Sequence, residues 1–225
     1  MSILEEYLPF WKNLAEPEKS MLKKAERTAF YKKGKTLHSG TEDCLGLIIV
    51  KNGRLRIFIS SGEGKEITLY RLLERDMCLF SAACIMNNID FDVMVQAEED
   101  TEISIIPPHA YKTLTDSSLP ALKYTNELLS SRFSDVMQLI DQILNKRLDQ
   151  RLSALLLEEA HFSGSDTIDL THEQLAGHLG TAREVVTRML KYLQNESCIL
   201  VKRGSVEITD KKKLQSLAAA GCKNL

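Results

Sequence analysis

The sequence lacks the features that would place it in a membrane, outside the cell or in a disulfide-bonded fold. No apolar run approaches the roughly 20 residues of a membrane-spanning helix. The first 20 residues are acidic and contain two prolines, unlike the basic start and apolar core of a signal peptide. The five cysteines are scattered and odd in number, which disfavours a disulfide framework. We therefore expect a cytoplasmic protein that does not enter a membrane.

Signatures of catalysis and of metal binding are also missing. The sequence has no phosphate-binding loop, no nucleophile elbow and no Cys-x-x-Cys pair. His172-Glu173 is followed by Ala176 where a zinc motif would have its second histidine. We expect neither an enzyme nor a metal site, and the sequence identifies no cofactor.

What is present is an ordinary globular composition with balanced charge. The 225 residues are 44% apolar, and 29 lysines and arginines face 31 acidic residues, for a formal net charge of −2. This length fits one or two domains. The near-neutral total excludes a wholly basic, histone-like protein but leaves room for a local basic face.

The first half of the chain has the pattern of a β domain. Short apolar runs at 45–50 and 54–60 flank Asn52-Gly53, which predicts a hairpin because both turn residues must accept positive φ. A second hairpin is predicted to return at 65–72, and further strands at 91–97 and 101–106. Strands at this spacing predict a barrel-like β-roll over residues 1–117, with one or two short helices within 4–29.

A long helix is predicted over residues 118–147. Its apolar side chains recur in alternating steps of three and four residues, the pattern of a coiled-coil seam. The alternative is a helix packed on its own β domain. We favour dimerisation, because the stripe is narrow and the helix joins two parts of the chain. The seam residues are Leu122, Leu129, Phe133, Val136, Ile140 and Ile143. A hinge is expected at 148–150, with Asp149 capping the next helix.

Residues 171–194 carry the most specific pattern in the chain. Thr171 with Gln174, and Thr181 with Glu184, have the spacing of capping boxes at helix starts. Gly180 between them suits the left-handed turn at a helix end. The pattern predicts a helix-turn-helix within a C-terminal region of residues 148–225. Its shared core would comprise Leu175, Leu179, Val186, Met189, Leu190 and Leu193.

The second of these helices would enter the major groove of DNA with its N-terminal side chains foremost. Arg183, Glu184 and Arg188 are the predicted base-reading residues, because arginine can bind a guanine edge and glutamate can accept from the cytosine amine. The competing interpretation is that Glu184 and Arg188 form only a surface ion pair. The predicted contacts to the DNA backbone are Thr181, Thr187, Lys191, Lys202 and Arg203.

Two short strands joined at Arg203-Gly204 would form a wing beside these helices. Residues 181–213 contain eight basic and four acidic side chains, so the near-neutral total conceals a basic patch. Three consecutive lysines at 211–213 are interpreted as a solvated helix face rather than as DNA contacts.

In the order of its parts the chain resembles the CRP/FNR family of bacterial transcription regulators. The resemblance is carried by VKNGRLRIFISSGEGKEITLYRL in the roll and LAGHLGTAREVVTRMLKYL in the helix-turn-helix. It implies an α+β fold with an N-terminal β-roll of the double-stranded β-helix (jelly-roll) type, a dimerisation helix and a C-terminal winged helix-turn-helix. It also implies a homodimer on an inverted DNA repeat with TGTGA- or TTGA-like half-sites, contact with RNA polymerase, and a signal sensed in the roll.

The chain departs from the cyclic-AMP-binding members at their ribose- and phosphate-binding pairs. The match places Leu79-Phe80 and Phe91-Asp92 there, and no arginine or lysine occurs between Cys78 and Glu99. Without a basic partner for the phosphate, we do not expect a cyclic nucleotide to bind. Oxygen-sensing members use clustered N-terminal cysteines. Residues 1–43 contain none, so we do not expect an N-terminal iron–sulfur cluster either.

A small effector, if one binds in the roll, is expected to be apolar. Cys78 and Cys84 are interpreted either as buried hydrophobes or as a thiol switch or haem or metal ligands. A filled roll without a ligand is the further alternative. The candidate pocket residues are Cys78, Leu79, Phe80, Cys84, Ile85, Met86, Phe91 and Asp92.

A second function class stays open beside the DNA-binding regulator. It is a ligand-binding regulatory module that acts through protein contacts without binding specific DNA. That class predicts a charge-neutral C-terminal third, whereas residues 181–203 are rich in basic groups. We therefore favour the DNA-binding regulator.

Overall fold

The computed structural model describes residues 3–39, 45–61, 64–79 and 93–219. The chain divides into two compact units, one formed by 1–60 and 69–136 and the other by 61–68 and 137–225. Helices and antiparallel sheets occur in separate stretches of the chain, so the predicted α+β class is confirmed.

Short helices open the first unit, as the sequence predicts. Helix α1 spans Ile3–Tyr7, a 3₁₀ turn spans Trp11–Asn13, and helix α2 spans Glu16–Ala25. Pro17 lies in the first turn of α2, where its missing N–H breaks no helical hydrogen bond. Leu4 and Leu22 are fully buried in a core that these helices share with the β-roll.

Within the described residues, two four-stranded sheets form the roll. The first contains β1 (Arg27–Tyr31), β3 (Leu47–Asn52), β6 (Met77–Leu79) and β8 (Thr101–Ile106), in the order β1-β8-β3-β6. The second contains β2 (Thr36–Ser39), β4 (Leu55–Ser60), β5 (Glu66–Leu72) and β7 (Val93–Ala97), in the order β2-β7-β4-β5.

Strand β3 is buried on both faces. Ile48 and Val50 point into the core of the roll, whereas Leu47 and Ile49 belong to the core shared with the helices. Alternate side chains of a strand point to opposite faces, so a continuous apolar run fits a strand that is covered on both sides.

The hairpin predicted at Asn52-Gly53 is wrong. Strand β3 pairs with β8 and β6, while β4 pairs with β7 and neighbours β5, so the turn carries the chain from one sheet to the other. Gly53 has φ +95°, and a Cβ there would lie 2.7 Å from the Asp100 carbonyl oxygen. The glycine is therefore required by the turn, although the turn does not pair its flanking strands. The second predicted hairpin is confirmed, since β4 and β5 are neighbours.

Helix α3 (Pro108–Ser117) is followed by the long helix α4 (Leu119–Asn145). One face of the first turns of α4 is buried through Ala121, Thr125 and Leu128. Among the predicted seam residues, Leu129 packs against the core of the first unit and Val136 is half-buried. The others are exposed: Leu122 (41%), Phe133 (67%), Ile140 (41%) and Ile143 (43%).

The next helix, α5 (Leu148–Ser163), begins earlier than the sequence predicts. Its N-cap is Arg147, whose backbone N–H donates to Gln150 Oε1 at 2.9 Å. Asp149 is therefore inside the helix rather than its cap, and its buried carboxylate is paired with Arg147 at 2.9 Å.

The second unit is completed by three helices and a small sheet. The helices are α6 (His172–Leu179), α7 (Arg183–Asn195) and α8 (Lys211–Ala219). The strands β9 (Thr167–Ile168), β10 (Ile199–Lys202) and β11 (Ser205–Ile208) form a sheet in the order β10-β11-β9. All of these elements pack around one apolar core that includes Leu152, Leu156, Leu175, Val186, Leu190, Leu193 and Val206.

Candidate nucleic-acid interface

Helices α6 and α7 form the predicted helix-turn-helix. The Thr171 hydroxyl accepts from the Gln174 backbone N–H at 3.2 Å, and the Thr171 N–H donates to Gln174 Oε1 at 2.9 Å, which completes a capping box. Gly180 ends α6 with φ +69°, a left-handed conformation that favours glycine. The turn is therefore set by local sequence, as predicted.

The predicted core of this motif is confirmed. Leu175, Leu179, Val186, Leu190 and Leu193 are buried, and Met189 packs against them while partly exposed. Because these side chains hold the inner faces of both helices, the polar side chains between them are directed outward.

Arg151 is a supporting residue that sequence reasoning missed. Its Nη2 donates to the Leu179 carbonyl oxygen at 2.7 Å, at the C-terminus of α6. Burial lowers the pKa of Arg151 below its ordinary value. The two residues are 28 positions apart, so no local pattern points to this contact.

The start of α7 differs from the prediction. Its N-cap is Ala182, without a side-chain capping bond, so the capping box predicted for Thr181 and Glu184 is wrong. Thr181 instead continues the turn, and its backbone N–H donates to the Ala176 carbonyl oxygen at 3.2 Å. Glu184 is thereby left without a capping role.

The three predicted base-reading residues, Arg183, Glu184 and Arg188, are all exposed on the first two turns of α7. Among the described residues, none of the three side chains has a hydrogen bond or ion pair, although Glu184 and Arg188 are one turn apart. The surface ion pair considered as the alternative is therefore not formed, and three charged side chains stand free beside one another.

The predicted backbone contacts have different surroundings. Lys191 is exposed and Thr181 is half-exposed. The Thr187 hydroxyl is already engaged: it donates to the Arg183 carbonyl oxygen at 2.9 Å and lies 2.9 Å from Nδ1 of His172. Lys202 pairs with Glu207 at 2.5 Å.

The wing has the predicted form. Strands β10 and β11 are antiparallel with Lys202 opposite Ser205, and Arg203 and Gly204 make the two-residue turn, with φ +81° at Gly204. Arg203 is exposed at the tip. Gln194 Oε1 accepts from the Val201 backbone N–H at 2.8 Å, which fixes the wing against α7.

The lysine run at the start of α8 is partly paired with nearby acidic residues. Lys213 Nζ lies 3.1 Å from Glu196 Oε2, and this hydrogen-bonded partner raises the pKa of Lys213. Lys211 lies 3.8 Å from Asp166. These contacts fit the interpretation of the run as a solvated helix face.

Of the candidate effector-pocket residues, only Cys78 and Leu79 are described, and both are buried. They lie on opposite faces of β6: Cys78 belongs to the core inside the roll and Leu79 to the core shared with the helices. Burial raises the pKa of the Cys78 thiol to about 11. The remaining candidates, Phe80, Cys84, Ile85, Met86, Phe91 and Asp92, lie outside the described residues.

In the described part of the chain, no helix is long and apolar enough to cross a membrane. Nor do three or more histidine, cysteine or acidic side chains gather there in a way that could hold a metal ion.

Comparison with known proteins gives three kinds of match. The family model of the Crp-like helix-turn-helix domain matches residues 150–217. The transcriptional regulator SdrP of Thermus thermophilus is 30% identical over 176 residues, which cover 75% of this chain and 82% of that protein. The cyclic AMP receptor protein of the same organism is 25% identical over 211 residues, or 93% of this chain and 96% of that protein.

A solved structure matches over almost the whole chain. It is described as a transcriptional regulator of the CRP/FNR family from Eubacterium rectale. It shares 48% sequence identity with this chain and superposes with a TM-score of 0.93, covering 96% of this chain and 100% of that structure.

Proposed function

This chain belongs to the CRP/FNR family of transcription regulators, and from that premise we propose that it acts as a homodimer on an inverted repeat of double-stranded DNA. The observation that carries the proposal is the free, exposed set of Arg183, Glu184 and Arg188 at the start of α7. A helix presenting such groups at its N-terminal end is the part of a helix-turn-helix that enters the major groove.

Each of these side chains has a defined role in the proposal. Arg183 and Arg188 donate to the O6 and N7 acceptors of guanine, and Glu184 accepts from the amine of cytosine. Since Glu184 does not pair with Arg188 in the free protein, no ion pair has to be broken before the bases are contacted.

Sequence-independent affinity comes from the phosphate backbone. Lys191 on α7 and Arg203 at the wing tip are exposed cations, and Lys202 and Thr181 lie nearby in the chain. Each neutralised phosphate releases condensed counterions, so affinity should fall steeply as salt increases.

Dimerisation is assigned to α4. Phe133, Ile140 and Ile143 leave 41–67% of their surface exposed along one stripe, in a helix whose buried residues, Ala121, Thr125 and Leu128, all lie in its first turns. A second copy of the same helix would cover this stripe in a coiled coil. The dimer would place two α7 helices about 34 Å apart, one turn of DNA.

We further propose that a signal in the roll changes how the two α4 helices of the dimer pair, and that this pairing sets the orientation of the two α7 helices. The signal is not a cyclic nucleotide, because residues 78–99 contain no basic side chain for its phosphate. The candidate signal is a small apolar effector. Contact with RNA polymerase and a cytoplasmic location are inferred from the family. No enzymatic activity is proposed.

The test is selection from randomised duplexes by the purified protein at moderate salt, with its absorbance spectrum recorded on the same sample. The proposal predicts enrichment of an inverted repeat with half-sites about 10 base pairs apart. The matched control is the double variant Arg183→Ala with Arg188→Ala, which should enrich nothing.

No enrichment by the native protein, whether oxidised or reduced, would favour a regulatory module that acts through protein contacts. A visible absorbance band would indicate haem or an iron–sulfur centre instead of an apolar effector.

A further inference from the structure

His172 lies in the helix-turn-helix, next to the helix that carries the predicted base-reading residues Arg183, Glu184 and Arg188. It is the first residue of α6, is half-buried, and its Nδ1 lies 2.9 Å from the hydroxyl of Thr187 on α7. Within the described part of the chain, this contact with Thr187 is the hydrogen bond that the His172 ring makes. The ring therefore bridges the two helices of the motif.

The hydrogen bonds of Thr187 indicate which ring nitrogen of His172 carries the hydrogen in the neutral form. A threonine hydroxyl carries one proton, and here that proton is donated to the Arg183 carbonyl oxygen at 2.9 Å. The hydroxyl can then only accept from His172, so Nδ1 carries a hydrogen. In the neutral ring Nε2 is consequently a bare acceptor, and it becomes a donor only when the imidazole takes up a second proton.

The position of Thr187 places the ring beside a basic stripe. Arg183, Thr187 and Lys191 are spaced four residues apart and so share one face of α7. Both ends of the stripe are exposed cations, and His172 contacts its middle. The first helix of a helix-turn-helix crosses the DNA backbone, and its N-terminus, where His172 stands, carries the positive end of the helix dipole.

We propose that His172 contacts a DNA phosphate, and that this contact forms with uptake of one proton from solvent. Nδ1–H stays on Thr187 while Nε2–H of the cationic ring donates to a phosphate oxygen. The inference rests on the proposed function, because it requires α7 to lie in the groove. The Thr187 hydroxyl was predicted to contact a phosphate. Because it is hydrogen-bonded to His172, we assign that phosphate contact to His172 instead.

The surrounding charges favour coupling between proton uptake and DNA binding. Arg183 and Lys191 lie at the two ends of the stripe. A DNA phosphate bound beside the ring would favour the cationic form of the imidazole by direct attraction. The other charged or titratable groups on the elements around the ring are Asp169 before α6, Glu173 and His178 in α6, Glu184, Arg188 and Tyr192 in α7, and Asp149, Arg151, Glu158, Glu159 and His161 in α5.

The experiment measures affinity for the selected duplex between about pH 6 and pH 8.5 at constant ionic strength. His172→Asn retains an amide donor for Thr187 but has no group at the Nε2 position. His172→Gln places an amide near the Nε2 position but loses the Thr187 bond. The control is His161→Asn, since His161 is exposed on α5.

Native protein and His161→Asn should bind more tightly as the pH falls, by at most about tenfold per pH unit for one proton. His172→Asn should lose this dependence, and should bind about tenfold more weakly than native protein near pH 6 and about equally near pH 8.5. His172→Gln should also lose it. Because His172→Asn keeps a donor for Thr187 and still loses the dependence, the dependence belongs to proton uptake and not to the Thr187 bond. If His172→Asn kept the native pH dependence, the inference would be overturned. If native protein bound no duplex at any pH, the proposed function itself would fail.

Discussion

The guanidinium of Arg151 donates a hydrogen bond to the carbonyl oxygen of Leu179, over 2.7 Å, at the end of the first helix of the reading motif. The last carbonyls of a helix have no partner within the helix. Leu179 is followed by Gly180, which turns the chain toward α7. Arg151 therefore ties α5 to the turn that positions the recognition helix.

Replacing this arginine should loosen the motif without removing a predicted DNA contact. Arg151→Met should lower the free energy of unfolding by about 1–3 kcal/mol, the cost of a lost hydrogen bond from a charged donor. Arg151→Lys should recover part of that loss. The measurement is urea denaturation, with Lys212→Met on the exposed face of α8 as the matched control. Equal stability of Arg151→Met and the native protein would show that the contact does not support the turn.

The exposed stripe of α4 gives a prediction about assembly. Ile140→Glu would place a carboxylate where the second helix should pack, at a cost of about 2 kcal/mol or more if it stays charged and buried. We expect sedimentation velocity to show mainly monomer for this variant, and binding to the inverted repeat to be lost with it. Gln138→Glu, on an exposed position of the same helix, should stay dimeric. A dimeric Ile140→Glu would locate the interface elsewhere.

Cys78 is predicted to be chemically inert in the folded protein. Its thiol is buried in the roll, 3.4 Å from the Tyr70 hydroxyl, and burial raises its pKa to about 11. Alkylation requires the thiolate, so iodoacetamide should label the Cys78 peptide at pH 8 in urea but not in the native state. Rapid native labelling would revive the thiol-switch interpretation for this residue.

The same burial predicts the direction of a pH effect on stability. The folded-state pKa lies above the unfolded value, so the unfolded chain releases its proton first as the pH rises. The contribution of Cys78 is fully present below about pH 9 and is lost as the pH approaches about 11. Cys78→Ala should reduce the decline in unfolding free energy across this range, and an unchanged decline would assign it to other groups.

Features encoded by local chemistry could be predicted from the sequence. The turn at Gly180 and the capping box at Thr171 were predicted correctly, because each depends only on residues a few positions away in the chain. The spacing of apolar residues gave the core of the motif for the same reason.

Features that depend on distant residues could not be predicted. The Asn52-Gly53 signal was correct as a turn but not as a hairpin, because strand partners are chosen by the whole roll. The contacts of Arg151 with Leu179 and of His172 with Thr187 join positions 28 and 15 residues apart. The N-cap of α7 is Ala182 and not Thr181, because Thr181 is still part of the turn that follows Gly180. The helix therefore begins one residue later than the pattern predicted. The predicted pocket beyond Leu79 falls outside the described residues.

Substitution of Glu184 tests most directly whether the start of α7 reads bases. The measurement is the affinity of native protein and Glu184→Ala for the selected duplex and for duplexes with single base-pair changes. If α7 reads bases, Glu184→Ala loses discrimination at one base pair per half-site, by about 1–3 kcal/mol. Lys191→Ala should instead weaken all duplexes alike and reduce the dependence of log affinity on log salt by about 0.9. An unchanged base preference in Glu184→Ala would show that Glu184 does not read a base.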